Sequence, residues 1–273
     1  FASNEDASSA FNFRTSGTVT VKPQGGNTFN SAFNTSSLSY SGITGLVIGH
    51  ADNTANITIG NATSIAGPVT IYGGDIAVNA ALTSTNDDIN LHASGLVTQS
   101  AALTAGGLGL YGPGTFTLTH ASNAADTLAG GADGAALGSL SYVDSDSLVI
   151  GAVNPTGVVS SGAVSVRTLS GDLVVTEPVV STLATGDAVV LAADSDASSG
   201  TEGDGQLRLT GDGSVTVEAG ARGLLYSGRE RLSTGVQTAA GGEGNVRFLV
   251  DTTTDLTTVD PAVGATGVYG LFR

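Results

Sequence analysis

Cysteine, methionine and tryptophan are all missing from this 273-residue sequence. Without cysteine the chain has no disulfide bond, no thiol chemistry and no thiolate metal site, so its stability must come from packing and strand hydrogen bonds. Basic residues are also scarce: 9 lysines and arginines stand against 24 aspartates and glutamates, the formal net charge is -15, and Lys22 is the only lysine. Because binding to a phosphate backbone needs a basic face, nucleic acid is not an expected partner.

Charged residues make up only 12% of the chain, against about 25% in ordinary soluble domains. No apolar run is long enough to cross a bilayer, and residues 1–6 lack the basic and apolar regions of a signal peptide. We therefore expect the chain to begin after processing or to be a piece of a longer protein. Glycine is abundant instead, with 40 residues, together with serine, threonine and asparagine. This composition suits the many tight turns of an all-β protein.

Short alternating segments recur from one end of the chain to the other. They are rich in β-branched residues and are bounded by Gly, Asn, Asp or Ser, a pattern typical of strands separated by turns. Examples are residues 18–21, 69–72, 115–118, 163–166 and 207–209. No segment has helical periodicity, so the sequence predicts an all-β fold.

An internal repeat relates two parts of the chain. The string Ser-Leu-Ser-Tyr at 37–40, followed by Leu-Val-Ile-Gly at 46–49, returns at 139–142 and 148–151, an offset of 102 residues. Such self-similarity is typical of repeat architectures. The predicted division is an N-terminal extension at 1–14, one unit at 15–113, a second unit at 114–230, and terminal coils or a tail at 231–273.

Each predicted unit contains too many strands for one hairpin and no helix that could make a βαβ crossover. We therefore predict a parallel β-helix, or β-solenoid, in which coils of about 20 to 25 residues stack and bury a continuous core. Val, Ile and Leu at alternate positions point inward, and glycine takes the corners. The alternative is a pair of tandem antiparallel β-sandwich domains of about one hundred residues each.

Runs of the type Gly-x-Val-x-Val, glycine and alanine turns, and segments such as 77–82 and 106–110 resemble the filamentous haemagglutinin-like exoproteins. The resemblance covers most of the chain and rests on its general pattern rather than on one motif. It implies a right-handed parallel β-helix from a giant Gram-negative surface adhesin that is exported by two-partner secretion. The Asn-Pro motifs of that family's secretion domain have one counterpart here, at 154–157. It is in mid-chain and is typical of a turn, so the secretion domain itself is not expected here.

The sequence offers no catalytic constellation. His50, His92 and His120 are far apart and none has metal-ligand spacing to another, and the motif Gly-x-Ser-x-Gly is absent. The enzymatic alternative is a glycan-cleaving β-helix that uses clustered carboxylates beside an arginine. Its candidates are Asp172, Asp187 and Asp212 with Arg167 or Arg208. Each aspartate follows a glycine, which favours a turn role instead.

Two further groups are candidate binding residues. Asp194, Asp196 and Asp204 lie in a loop rich in Gly and Ser and offer hard oxygen ligands for calcium, although their spacing fits neither the EF-hand loop nor the Gly-Gly-x-Gly-x-Asp nonapeptide. No other cofactor is expected. Arg222, Arg229 and Arg231 form the one basic cluster, around Tyr226. This cluster could contact an acidic glycan or a neighbouring acidic subunit, or it could pair with nearby glutamates.

Together these observations predict a non-catalytic structural or adhesive section of a secreted bacterial surface protein. The expected roles are cell adhesion, biofilm matrix or fibre formation at the outer surface of a Gram-negative cell. The expected partners are a surface glycan or protein of a host or bacterium, or further copies of the chain. We expect no insertion of this segment into a membrane. The alternative function is a glycan-binding or glycan-cleaving β-helix.

Overall fold

A computed structural model describes residues 11–23, 25, 28–132, 135–198, 200, 205–254, 256 and 266–273. Within these residues the chain consists almost entirely of short strands. The first fifteen are β1 (Phe11–Arg14), β2 (Thr18–Val21), β3 (Phe33–Asn34), β4 (Leu38–Ser41), β5 (Gly45–Ile48), β6 (Ile57–Ile59), β7 (Thr63–Ile65), β8 (Val69–Gly73), β9 (Ile76–Val78), β10 (Leu82–Ser84), β11 (Asp88–Ala93), β12 (Leu96–Gln99), β13 (Leu103–Tyr111), β14 (Thr115–Leu118) and β15 (Ala124–Gly130).

Twelve further strands follow in the described part of the chain. They are β16 (Ser139–Asp144), β17 (Leu148–Ile150), β18 (Val158–Ser160), β19 (Val164–Thr168), β20 (Leu173–Val175), β21 (Val179–Ser181), β22 (Gly186–Ala192), β23 (Leu207–Leu209), β24 (Val215–Thr216), β25 (Ala221–Ser227), β26 (Val246–Phe248) and β27 (Gly267–Phe272). Between β25 and β26 lie a 3-10 turn (Glu230–Leu232), the short helix α1 (Val236–Ala239) and a second 3-10 turn (Glu243–Asn245).

All pairings between these strands are parallel, and each strand pairs with the strand one coil away. A fourteen-stranded sheet, here called sheet 1, has the main order β2-β5-β8-β11-β13-β15-β17-β20-β23. An eleven-stranded sheet, sheet 2, has the order β26-β27-β25-β22-β19-β16-β14-β12-β9-β6-β3, and β1 pairs with β4 alone. The prediction of a parallel β-helix is therefore confirmed. The antiparallel β-sandwich alternative was wrong, because the short strands pair between coils and not within hairpins.

A core of mainly aliphatic side chains runs through the stack. In β8, for example, Val69 and Ile71 are fully buried while Thr70 and Tyr72 point outward, as the two-residue period of a strand requires. Because Val69 pairs with Ile89 and Ile89 pairs with Leu108, inward side chains of successive coils stack on one another. The resulting cluster is continuous from Val19 to Phe272. Burial of this apolar surface is the main force that stabilises the coils.

The position of the short strands differs between two parts of the molecule. From β1 to β15, which we call the N-terminal coils, the short strands β7 and β10 come after a sheet 2 strand and before a sheet 1 strand. From β16 to β25, the C-terminal coils, the short strands β18, β21 and β24 come after a sheet 1 strand and before a sheet 2 strand. The short strands thus lie where the sheet 1 strands begin in the N-terminal coils and where the sheet 1 strands end in the C-terminal coils. We call these two positions the two edges of sheet 1. Coils also lengthen, from about 20 residues between Val69 and Ile89 to about 34 between Val175 and Leu209.

The two repeated strings occupy different positions in this stack. The first Ser-Leu-Ser-Tyr ends in β4, which pairs with β1, whereas the second begins β16 in sheet 2. The two Leu-Val-Ile strings lie in β5 and β17, both in sheet 1. The division into units at 15–113 and 114–230 stays a prediction. Within the predicted N-terminal extension, residues 11–14 form β1.

The C-terminal segment covers the last coil. Helix α1 packs against β23 and β27, and Val236 is buried in the main core. A second apolar cluster lies on the outer face of sheet 2, where Leu224, Tyr226 and Tyr269 pack with Val250. No helix in the described part of the chain is both long and apolar enough to cross a membrane.

Candidate functional site

A groove of about 810 Å³ lies where the short strands change edges. One side is formed by Tyr111 at the end of β13 and by Gly131, Ala132 and Ala135 after β15. The other side is formed by the outer face of β18 and β21 and by the loop at 154–156. The groove lies where the segment between a sheet 1 strand and the next sheet 2 strand lengthens, from residues 112–114 after β13 to residues 151–163, which include β18, after β17. We call this change the step.

Tyr111, on the first side or wall of the groove, is the last ring in a stack of aromatic side chains on the outer face of sheet 1. Tyr72, His92 and Tyr111 are register partners in β8, β11 and β13. Their ring centroids are 4.4 Å apart from Tyr72 to His92 and 4.0 Å apart from His92 to Tyr111, with nearly parallel planes in the second pair. Stacking of aromatic rings is favourable, so the three rings hold one another in place.

The stack stops at Tyr111 because the next coil has no side chain there. Leu110 pairs with Gly130, so the register places Gly131 beside Tyr111. Gly131 has a positive φ of 67°, a conformation that glycine adopts readily. His92 thus covers one side of the Tyr111 ring, and the other side borders the groove.

Outward-facing glycines in β13 make room for this arrangement. A Cβ atom on Gly109 would lie 3.1 Å from Cε2 of Tyr111, and one on Gly107 would lie 2.9 Å from Cγ1 of Val153. The ring of Tyr111 therefore lies over Gly109, where its hydroxyl donates a hydrogen bond to Oδ1 of Asn90 over 3.3 Å. Two glycines in alternation within a strand thus create the space that the site requires.

The second wall is aliphatic. Val159 and Val180 are register partners in β18 and β21, and both point outward because their neighbours in each strand are buried. Pro155 and Pro178 extend this surface. The polar residues on this side are Asn154, Thr156 and Glu177, and Glu177 provides the one carboxylate among the described lining residues.

Burial favours the uncharged forms of His92 and Tyr111. It lowers the pKa of His92 to about 4, because the protonated imidazole would lose solvation between two tyrosine rings. The pKa of Tyr111 is raised, first by burial and then by the nearby carboxylate of Asp88. The groove is therefore bordered by a neutral aromatic surface.

The predicted calcium ligands are not all within the described residues. Asp194 Oδ2 lies 3.4 Å from the guanidinium of Arg273, which also donates hydrogen bonds to the carbonyl oxygens of Ala193 and Asp194. Asp196 is exposed in the turn that follows, and Asp204 lies outside the described residues. Among the described residues, no three His, Asp or Glu side chains form a group able to hold a metal ion. Calcium binding stays a prediction.

The candidate residues for glycan cleavage lie in different parts of the coils. Asp172 accepts a hydrogen bond from the backbone N–H of Gln206 and forms an ion pair with Arg208 at 3.1 Å. Asp187, in β22 of sheet 2, pairs with Arg222. Asp212 is exposed in the turn between β23 and β24, and Arg167 lies in β19 of sheet 2. The structure does not gather these carboxylates into one cluster.

The predicted basic contact group is divided. Arg222 and Tyr226 lie on the outer face of β25, but Arg222 pairs with Asp187 and Tyr226 is only 5% exposed within the second apolar cluster. Arg229 and Arg231 are further along, at the 3-10 turn, where Arg229 is half-buried and Arg231 is exposed. Their role in partner contact stays a prediction.

Comparison with known proteins adds no relative: no protein-family model, no curated protein and no solved structure matches this chain.

Sequence reasoning did not identify the groove residues. A signal for the first wall is present, because Tyr72, His92 and Tyr111 recur at about the length of one coil. Residues at that spacing fall on one face of a β-helix in adjacent coils. No comparable signal marks Val159, Val180 or Glu177, because the step that brings them to Tyr111 depends on where the short strand is placed.

Proposed function

We propose that this chain is a rigid, non-catalytic section of a secreted bacterial surface protein, with a structural or adhesive role at the outer surface of a Gram-negative cell. The observation that carries the proposal is the single aliphatic core, which links every coil from Val19 to Phe272. A stack of this kind resists bending, because each coil is bonded to both neighbours by parallel strands in two sheets. Such a stack is suited to holding a binding surface away from a cell.

The dimensions agree with a spacer role. Nine successive strands of sheet 1 correspond to about 40 Å at about 4.8 Å per coil. The net charge of -15 favours solubility and repulsion between copies. The Gly-x-Val-x-Val pattern and the parallel β-helix support a shaft or tip section of the filamentous haemagglutinin type. A surface glycan or protein, or further copies of the chain, would be its partner.

The cleavage alternative has no comparable support. A retaining or inverting glycosidase needs two carboxylates on opposite sides of one bond. Asp172 instead forms an ion pair with Arg208 just before β20 of sheet 1, and Asp187 forms one with Arg222 from β22 of sheet 2.

Localisation tests the proposal directly. An antibody raised against the purified chain should label intact cells of the source organism by immunogold electron microscopy, with a cytoplasmic enzyme as the unlabelled control. Deletion of the coding segment should reduce attachment to a surface or host cell without slowing growth. Labelling confined to the cell interior, or release of reducing ends from a polysaccharide panel by the purified chain, would contradict it.

A further inference from the structure

We propose that the groove between Tyr111 and the outer face of β18 and β21 binds a neutral oligosaccharide, with one pyranose ring packed on Tyr111. The proposal gives the surface-glycan partner named above one site and one ligand class, and to that extent it rests on the proposed function. The ligand class follows from three properties of the walls: an aromatic ring on one side, aliphatic side chains on the other, and a few uncharged or acidic hydrogen-bonding groups between them.

The aromatic wall is preorganised. Tyr111 is fixed by stacking on His92 at 4.0 Å and by its hydrogen bond to Asn90, so little side-chain entropy is lost when a ligand covers the ring. The side that faces the groove has Gly131 as its neighbour and is not covered by a side chain from β15. A pyranose presents C–H groups on its ring faces, and these pack well on a flat aromatic surface.

The aliphatic wall is complementary to the second face of such a ring. Val159, Val180, Pro155 and Pro178 form a surface without charge, and the groove volume of about 810 Å³ lies within the range of about 300 to 1,000 Å³ typical of small-molecule sites. Sugar rings have two apolar faces and a polar edge, so they fit between two apolar walls with their hydroxyl groups directed along the groove.

The polar groups select against acidic sugars. Asn154, Thr156 and Glu177 can hydrogen-bond to hydroxyl groups, and Glu177 is the one charged residue among the described residues that line the groove. A uronic acid or sulfated sugar would place its negative charge beside this carboxylate on a chain of net charge -15. Like-charge contact of this kind is unfavourable, so the geometry favours neutral hexoses and their N-acetylated forms.

Calorimetric titration of the full chain tests the proposal. The probes are cellohexaose, maltohexaose, mannohexaose and chitohexaose, with hexagalacturonate as the acidic comparison. We expect at least one neutral hexasaccharide to bind and hexagalacturonate to bind at least tenfold more weakly than the best of them. If no neutral probe binds, or if the acidic probe binds equally well, the proposal is overturned.

Variants locate the binding. Tyr111→Ala should weaken the affinity for the best probe by about tenfold, and Tyr111→Phe, which keeps the ring, should stay within about twofold. Val180→Asp adds charge to the opposite wall at an outward position and should abolish binding. Tyr40→Ala removes a half-buried tyrosine of β4 that stacks on Phe13, away from the groove, and is the matched control that should keep its affinity.

Circular dichroism spectra that match the parent chain establish that each variant is folded. Unchanged affinity in folded Tyr111→Ala and Val180→Asp would place the sugar elsewhere and overturn the proposal. Preferential binding of an apolar peptide library over all four neutral sugars would overturn it as well.

Discussion

The N-terminal and C-terminal coils share one apolar core, but their short strands lie on opposite edges of sheet 1. In the N-terminal coils, β10 leads into β11, and a glycine turn then leads directly to β12. In the C-terminal coils, β17 is followed by β18 before the chain enters β19. The core tolerates this change because inward residues keep their register: Leu128 of β15 still pairs with Ile150 of β17. A β-helix can therefore move a corner without interrupting its interior.

One feature is shared by both sets of coils. A glycine column precedes the strands of sheet 2, and it includes Gly95, Gly114, Gly138 and Gly162. A Cβ on Gly114 would lie 2.5 Å from the carbonyl oxygen of Gly95, and one on Gly138 would lie 2.6 Å from that of Pro113. The backbones of adjacent coils thus approach too closely for a side chain at this corner. The segment that precedes this corner differs between the two sets of coils, but the glycine and its close backbone contact are kept.

The opposite corner differs in its polar interior. Asn123 is fully buried in the N-terminal coils and donates to the carbonyl oxygens of Leu118 and Val143. One coil later the buried group is Asp144, which accepts hydrogen bonds from the hydroxyl of Tyr142 at 2.6 Å and the backbone N–H of Ala125 at 2.9 Å. A neutral amide is thus followed by an ionisable carboxyl, which gives the two regions a different response to pH.

The largest expected effect comes from cavities in the shared core. Leu91 in the N-terminal coils and Leu191 in the C-terminal coils are both fully buried in the same cluster. Leu91→Ala and Leu191→Ala should each lower the free energy of unfolding by about 2 to 5 kcal/mol. Urea unfolding followed by circular dichroism should show one transition that moves in both variants. The exposed Thr117→Ala is the control and should change stability by less than about 0.5 kcal/mol.

Two unfolding transitions in urea would show that the two sets of coils do not unfold together. If Leu191→Ala shifted only one of two transitions, the C-terminal coils would unfold independently, as stacked repeats can when the interfaces between them are weak. The continuous cluster would then not act as one cooperative unit.

The sequence predicted the coils but not their two arrangements. Alternating Val, Ile and Leu residues with glycine at the corners predict a parallel β-helix, because inward positions and tight turns are local properties. The strings at 37–40 and 139–142 show the limit of this reasoning: Tyr40 is half-buried beside Phe13, whereas Tyr142 is fully buried beside Asp144. Identical local sequence cannot reveal which edge the short strand takes. The groove depends on that choice, so Glu177 and Val180 could not be associated with Tyr111 from the sequence.

The next effect concerns Asp144 and the pH dependence of stability. Burial raises the pKa of Asp144 from 3.8 to about 6, although the hydrogen bonds from Tyr142 and Ala125 oppose this shift. A raised carboxyl pKa stabilises the fold while the group is protonated, and this contribution is lost as pH rises through about 6. Asp144→Asn does not titrate. The stability of this variant relative to the parent chain should therefore improve by up to about 3 kcal/mol between pH 4 and pH 7.

Chemical denaturation of both proteins at several pH values measures this difference. The difference cancels the titration of other carboxylates, since both proteins share them. Asp212→Asn, at an exposed turn, controls for the general loss of one negative charge. A parent-to-variant difference that is flat with pH, or that changes in the opposite direction, would show that the native carboxyl of Asp144 is not held in its protonated form.

The smallest effect sharpens the comparison at the shared corner. Gly114→Ala in the N-terminal coils and Gly162→Ala in the C-terminal coils should each cost about 1 to 3 kcal/mol, because the new Cβ would overlap a backbone carbonyl oxygen of the adjacent coil. Gly106→Ala is the matched control, since its Cβ would have no atom nearer than 3.5 Å and its cost should stay below about 0.5 kcal/mol. Thermal unfolding of the three variants makes the measurement. We expect equal costs at 114 and 162, because the same close approach of coils occurs on both sides of the step. A low cost at 162 alone would mean that the C-terminal coils relax at this corner. The change of edge would then loosen the stack beyond the groove.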